Sequence, residues 1–255
     1  MNITLLQTDI RWNDAAANIA GAERLMADQP DSDLYVLPEM WGTGFVTEPD
    51  DETARQSSAA LRWMIQTACS RRCCMAGTLA AREAGRFYNR FYFVGPEGQL
   101  TQYDKHHLFT YGGEAAHYTP GTHRVVATCQ GLRLLLATCY DLRFPVFLRN
   151  RDDYDGILCV ASWPESRQDV WDTLLRARAL ENQCFVAGVN RVGSDPACHY
   201  RGGTTWVDAY GRSPQGLPAY GEACAVSFTP DVERQQAFRA KFPVLADRDR
   251  FSLEL

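Results

Sequence analysis

The 255-residue chain has no run of 18 uninterrupted apolar residues, so no segment of it reads as a transmembrane helix. Its opening, MNITLLQTDI, lacks the basic start, long apolar stretch and small-residue cleavage site of a secretory signal, and we expect a cytoplasmic protein. Basic charge is in short supply as well. The 26 Lys and Arg stand against 31 Asp and Glu, a formal net charge of −5, which gives no support to a nucleic-acid or anionic-membrane surface. Nine cysteines, an odd number scattered through apolar runs, fit reduced thiols better than a disulfide framework. The adjacent Cys73 and Cys74 have neither CxxC spacing nor a histidine nearby, and read as core packing rather than a metal site. There is no linker, low-complexity tract or repeat, so residues 1–255 read as one domain. These absences leave small-molecule chemistry.

What is present alternates between strand and helix patterns. Residues 2–9 read as a strand, 14–27 as a helix and 34–37 as a second strand that runs into Pro38-Glu39. An amphipathic helix over 57–71 carries Leu61, Met64, Ile65 and Ala68 on one stripe, and 73–80 is a third strand. Residues 87–94 and 100–103 flank Gly95-Pro96-Glu97-Gly98, a hairpin turn. Strands at 123–127, 132–138, 155–161 and 185–189 follow, with a helix over 170–183 that buries Trp171, Leu174, Leu175 and Leu180. Antiparallel strands at 202–207 and 223–228, a polar helix at 231–241 and a charged tail with Phe251, Leu253 and Leu255 complete the chain. Mixed αβ and hairpin connections predict layered sheets with helices outside, an α/β fold.

Three strands end in residues with chemistry to offer. LYVL is followed by Pro38-Glu39, the second hairpin arm by Asp104-Lys105, and LLLAT by Cys139. Strand ends gather along one sheet edge, so Glu39, Lys105 and Cys139 can converge although they are far apart in sequence. A free thiol is only slightly ionised at neutral pH and needs a base or a cation to become an effective nucleophile. Glu39 could take its proton and return it to a leaving amine, while Lys105 and the backbone N–H of Tyr140 stabilise the tetrahedral oxyanion. Taken singly, Cys139 reads equally as a small buried residue, Glu39 as a turn carboxylate and Lys105 as a surface charge. His106 and His107 are expected to point to opposite faces of an extended segment and so not to share a site.

The segments LPEMWGTGF (37–45), YDKHHLF (103–109), CYDLRFP (139–145) and RARALENQCFVAGVNRVG (176–193) together resemble the nitrilase, or carbon-nitrogen hydrolase, superfamily, in its order and approximate spacing. The resemblance implies a four-layer αββα sandwich in one domain. It also implies Glu39 as general base and acid, Lys105 as oxyanion stabiliser and Cys139 as the nucleophile that forms a thioester. A second family glutamate, which orients the lysine, maps by position onto Glu114. The dimerisation usual in the superfamily implies a homodimer, with the apolar residues of the 242–255 tail at the interface. The wording PEMWGTGF, CYDLRFPVFLRN, ASWP and CHYRG is similar to the bacterial omega-amidase branch, which implies hydrolysis of the terminal amide of 2-oxo acids such as 2-oxoglutaramate and 2-oxosuccinamate. Arg143 and Arg201 are then candidates for the substrate carboxylate, and Phe45, Tyr118 and Trp163 for pocket walls. No cofactor or metal is needed for such chemistry. An N-carbamoyl amino acid amidase or a nitrilase with the same triad, and a non-catalytic binding protein on the same fold, are the alternatives.

Overall fold

Strands that are apolar on both faces need cover on both, and this requirement sets the layers. The computed structural model describes residues 1–213 and 220–253. Its first half comprises β1 (Ile3–Gln7), α1 (Ala15–Ala27), β2 (Leu34–Val36), α2 (Asp51–Arg71), β3 (Cys74–Glu83), β4 (Arg86–Val94) and β5 (Leu100–Asp104). Then follow β6 (Val126–Cys129), β7 (Leu132–Thr138), the short α3 (Pro145–Leu148), β8 (Gly156–Ala161), α4 (Gln168–Asn182) and β9 (Phe185–Asn190). The chain continues with β10 (Val192–Ser194), β11 (His199–Arg201), β12 (Thr205–Val207), β13 (Cys224–Phe228) and α5 (Val232–Lys241).

Two main sheets form, in the orders β13-β1-β2-β3-β4-β5 and β12-β9-β8-β7-β6. Side chains alternate across them as the strand period demands. On β1, Ile3 and Leu5 face Leu134, Leu136 and Leu158 of the second sheet, while Leu6 packs outward with Ala22, Met26, Met64 and Ala68 of α1 and α2. Trp171, Leu175 and Ala179 of α4 join the core on the second sheet's side. The result is the four-layer αββα sandwich. Each fully buried Leu, Ile or Met contributes about 1.5–3 kcal/mol, so the cores hold the strand ends firmly.

Parallel pairing aligns β1, β2 and β3 within the first sheet and β7, β8 and β9 within the second, and the stacking of the two sheets sets the end of β2 beside that of β8, where Ser162 N donates to Glu39 Oε2. Glu39, Cys139 and Ser162 emerge at the ends of β2, β7 and β8.

Several elements depart from the sequence expectation. Helix α2 starts at Asp51, six residues early, because Asp50 caps it by accepting from Thr53 N at 2.8 Å and Asp51 and Glu52 favour its first turn. Leu180 is 48% exposed, since the inward stripe of α4 runs through Leu175, Arg178, Ala179 and Asn182 instead. The 192–201 stretch, between the expected strands at 185–189 and 202–207, forms a hairpin, β10 with β11. His106 and His107 do not sit on an extended segment. The chain bends after β5, and their rings meet edge to face at 4.5 Å. Of the three apolar tail residues, Phe251 is partly exposed and Leu253 half-buried, while Leu255 lies outside the described residues. No helix among the described residues is long and apolar enough to cross a membrane.

Candidate active site

Glu39 sits on the turn after β2, where the following Met40 adopts φ +45° and donates its N–H to Thr78 Oγ1 at 2.8 Å. Lys105 follows β5 directly, its N–H bonded to Asn89 O of β4 at 2.9 Å. The loop after it returns at Gly121, whose N–H donates to Lys105 O at 3.0 Å. A Cβ at Gly121 would stand 2.0 Å from Asp104 O, so this close return requires glycine. Glu114 opens the 3₁₀ turn Glu114–Ala116 within that loop.

These elements bring three buried charges together. Lys105 Nζ donates to Glu39 Oε1 at 2.8 Å and to Glu114 Oε2 at 2.8 Å, and all three side chains are fully buried. Asn89 Nδ2 bridges the same two carboxylates, at 2.8 Å from Glu39 Oε1 and 2.8 Å from Glu114 Oε1. Backbone N–H groups complete the shell: Ser162 N donates to Glu39 Oε2 at 2.9 Å, and Phe109 N to Glu114 Oε2 at 2.7 Å. A buried ion triad persists when its remaining lone pairs are hydrogen-bonded, and here they are.

Cys139 opens the 3₁₀ turn Cys139–Arg143 at the end of β7, with φ +47°. Positive φ at a non-glycine residue is strained, and it turns the side chain out of the strand line while leaving the first N–H groups of the turn, Tyr140 among them, without partners inside it. Asp141 fixes this turn. Its Oδ2 accepts from Thr138 N at 2.9 Å and from Tyr103 Oη at 2.6 Å, and its Oδ1 accepts from His107 N at 3.1 Å. His107 Nδ1 lies 2.8 Å from the same oxygen. Arg178 of α4 grips the other end, donating from Nε at 3.0 Å and Nη2 at 2.7 Å to Leu142 O. Asp141 thus couples the Cys139 turn to the segment that carries Lys105.

The electrostatics follow from the burial. Loss of water holds the Cys139 thiol well above its usual range, the Glu39 carboxylate pushes it further up, and Lys105 opposes both. The same loss of water works against charge on Lys105, but Glu114 and Glu39 more than offset it and keep the ammonium protonated. Glu114 is shifted upward by burial, with Lys105 pulling against it. In the free protein the thiol therefore carries its proton, and a carboxylate stands ready beside it.

A cavity of about 290 Å³ opens onto Glu39, Lys105 and Cys139. It falls at the small end of ligand sites. Phe45, Tyr140, Arg143 and Trp163 also line it, as does Tyr200 from the β10–β11 hairpin. Glu114 lies behind Lys105 and does not reach the cavity. Tyr118 and Arg201 are not part of its wall either. Tyr118 is buried, because its hydroxyl needs an acceptor and finds Val46 O at 2.7 Å. Strand alternation on β11 turns Tyr200 toward the cavity and Arg201 away, over the ring of Tyr220 at 4.4 Å.

Beside Tyr200, two further residues with a part in the site were not candidates from the sequence. Asn89 is one, and its signal was a polar side chain inside the apolar run FYNRFYFV. Arg167 is the other, four residues beyond Trp163 on the cavity wall. Arg143 stands 5.3 Å over the Trp163 ring and Arg167 5.4 Å over the Phe109 ring, and neither has a carboxylate partner within salt-bridge distance among the described residues. Among the described residues no group of three or more His, Cys, Asp or Glu could hold a metal ion.

Fold and site define a class of protein: an αββα sandwich that presents a thiol, a carboxylate and an ammonium in one small cavity. The carbon-nitrogen hydrolase family model matches residues 2–229. The chain is 40% identical to an omega-amidase, YafV, of Yersinia enterocolitica, across 99% of this chain and 98% of that one. It is 35% identical to a 2-oxoglutaramate amidase of Bacillus subtilis, across 96% of each. Among solved structures, a CN-hydrolase superfamily protein of Xanthomonas campestris with an arsenic adduct in its active site superposes with a TM-score of 0.91, at 36% identity over 99% of this chain and 98% of that one. The chain belongs to the carbon-nitrogen hydrolase family, and is a hydrolase of amide carbon–nitrogen bonds.

Proposed function

We propose that this enzyme hydrolyses the terminal amide of small 2-oxo dicarboxylic acid monoamides, 2-oxoglutaramate and 2-oxosuccinamate, to the 2-oxo acid and ammonia. The observation that carries the choice of substrate is the pair Arg143 and Arg167. They are cavity guanidiniums without a carboxylate partner among the described residues, whereas Lys105 is bonded to two. A substrate with an amide at one end and a carboxylate at the other spans this arrangement. The names of the relatives, omega-amidase and 2-oxoglutaramate amidase, agree with that chemistry.

In this reading Glu39 takes the Cys139 proton as sulfur attacks the amide carbon. Lys105 Nζ and Tyr140 N–H hold the oxyanion, and Glu114 and Asn89 keep Lys105 and Glu39 in place. Glu39 then protonates the departing ammonia, leaving a thioester on Cys139. Water, deprotonated by Glu39, attacks the thioester, and the thiol is regenerated as the 2-oxo acid leaves. Phe45 and Trp163 form apolar walls that exclude water from the reacting atoms.

Arg143→Ala and Arg167→Ala test the choice. A charge-assisted hydrogen bond to a carboxylate contributes about 1.5–3 kcal/mol, so each variant is expected to lose about 10- to 100-fold in kcat/KM for 2-oxoglutaramate, mostly through KM. Activity on a small neutral amide should change little. Equal losses on both substrates would show that the arginines only maintain the pocket.

The reading extends to a cytoplasmic homodimer. All nine cysteines are free thiols, and Val146, Leu180, Phe242 and Phe251 leave apolar surface exposed around α3, the end of α4 and the tail. Light scattering should give twice the 28.7 kDa chain mass, and a monomer mass would remove the dimer from the account.

A further inference from the structure

At the edge of the sandwich opposite the active site, the first residue of β3 and the last residue of β6 bring two thiols together. Cys74 Sγ lies 3.0 Å from Cys129 Sγ. That is about 1 Å longer than the ~2.05 Å sulfur–sulfur bond of a disulfide. The two residues belong to different sheets, and both point into the layer between them. Cys74 pairs with Leu34 at the start of β2, whereas Glu39 follows that strand's end; Cys129 pairs with Leu132 at the start of β7, whereas Cys139 follows its end. The pair is therefore separated from the reacting centre by the full length of the strands.

The site is also reachable. Cys73, Cys74 and Cys129 line a cavity of about 260 Å³ together with Asp33, Arg72 and Gln130. Cys74 and Cys129 each retain 5% exposure, while Cys159 and Cys184 are closed off at 0%. Either sulfur can donate to the other, so a thiolate at one is stabilised by the remaining thiol, against the burial of the pair and the Asp33 carboxylate. One sulfur is thus suited to attack and its neighbour to resolve.

We propose that Cys74 and Cys129 form an oxidant-sensitive dithiol, closed by hydrogen peroxide or another hydroperoxide into a disulfide that staples the two sheets together. With hydrogen peroxide, the thiolate of one cysteine attacks peroxide oxygen, breaking the O–O bond and releasing hydroxide, to give a sulfenic acid. The sulfur of the other cysteine then attacks that sulfur. The attacking thiol's proton and the sulfenic hydroxyl leave as water. Overall two thiols and one hydrogen peroxide give one disulfide and two waters, or with an organic hydroperoxide one water and one alcohol, sulfur being oxidised and peroxide oxygen reduced. A thiol reductant reverses the reaction.

The test is peroxide treatment of the wild-type protein, alkylation of the remaining thiols, and peptide mapping without reductant. The expected result is a cross-linked peptide pair joining Cys74 to Cys129, together with a rise in Tm of about 5 °C or more that dithiothreitol abolishes. Cys73→Ser should keep both the link and the rise, and Cys74→Ser and Cys129→Ser should lose both. A link through Cys73 in place of Cys74 would overturn the assignment. So would recovery of both thiols unlinked after a treatment that fully oxidises the exposed Cys69. A link with no rise in Tm would refute the staple. Mapping of the wild-type protein decides the first two outcomes even if a variant fails to fold.

Discussion

Cys139→Ala should release no measurable ammonia from 2-oxoglutaramate, a loss of roughly four orders of magnitude or more, while its circular dichroism and Tm stay close to those of the wild type. The size of the effect follows from the proposed role. In that role the sulfur would be the atom that bonds to substrate carbon, and no other thiol on the cavity wall shares its geometry. Cys198 also lines the cavity, but it lies beside β11, at the far end of the β10–β11 hairpin, and not beside Lys105. The small effect on stability follows from the environment. Cys139 opens a turn at φ +47°, and that turn is held by Asp141 and Arg178 rather than by the sulfur. Retained turnover in this variant would remove the thioester from the mechanism.

Glu39→Gln gives the second large effect, and it separates two quantities that a packing role would move together. The isosteric amide cannot take or return a proton, so kcat/KM should fall about 10³-fold. The thiol should respond in the opposite direction. Burial is the main cause of its raised pKa, but the Glu39 charge is the next, and Lys105 is the opposing influence. Removing the carboxylate leaves the ammonium to favour the thiolate, so the midpoint of the pH profile for Cys139 alkylation by iodoacetamide should move down. A dead enzyme whose nucleophile ionises more easily is the signature of a lost base. A midpoint that stays in place or rises would argue that Glu39 acts only by holding Lys105.

Much of this molecule can be read before any coordinates, because two simple periodicities carry the information. The strand runs LYVL and LLLAT each end in a polar or thiol-bearing turn, and the stacking of their two sheets on a shared core brings those ends together. What could not be read depends on which way a side chain turns. Arg201 and Tyr200 are neighbours, and only the register of β11, set by its pairing with β10, decides that the tyrosine faces the cavity. Tyr118 looked like pocket wall, but a buried hydroxyl is directed by its acceptor, and Val46 O lies on the inner side. Asn89 illustrates the reverse case. A lone polar residue in an apolar strand is costly to bury, and Asn89 is held there by Nδ2, which bridges Glu39 and Glu114, while its Oδ1 has no partner among the described residues. Arg167 ends the single 3₁₀ turn Glu165–Arg167 directly before α4, an element too short to show a periodicity.

The most direct test of the central claim is the ratio of kcat/KM values for 2-oxoglutaramate, an N-carbamoyl amino acid and an aliphatic nitrile, measured on one preparation of the wild-type enzyme. The account predicts that the 2-oxo amide is favoured by at least about tenfold, over the nitrile because its carboxylate meets charges placed for it, and over the carbamoyl compound because the small cavity fits an amide and not a ureido group. A preference for the carbamoyl compound, which carries a carboxylate too, would contradict the choice of a 2-oxo amide, and a preference for the nitrile would also leave Arg143 and Arg167 without the role argued for them.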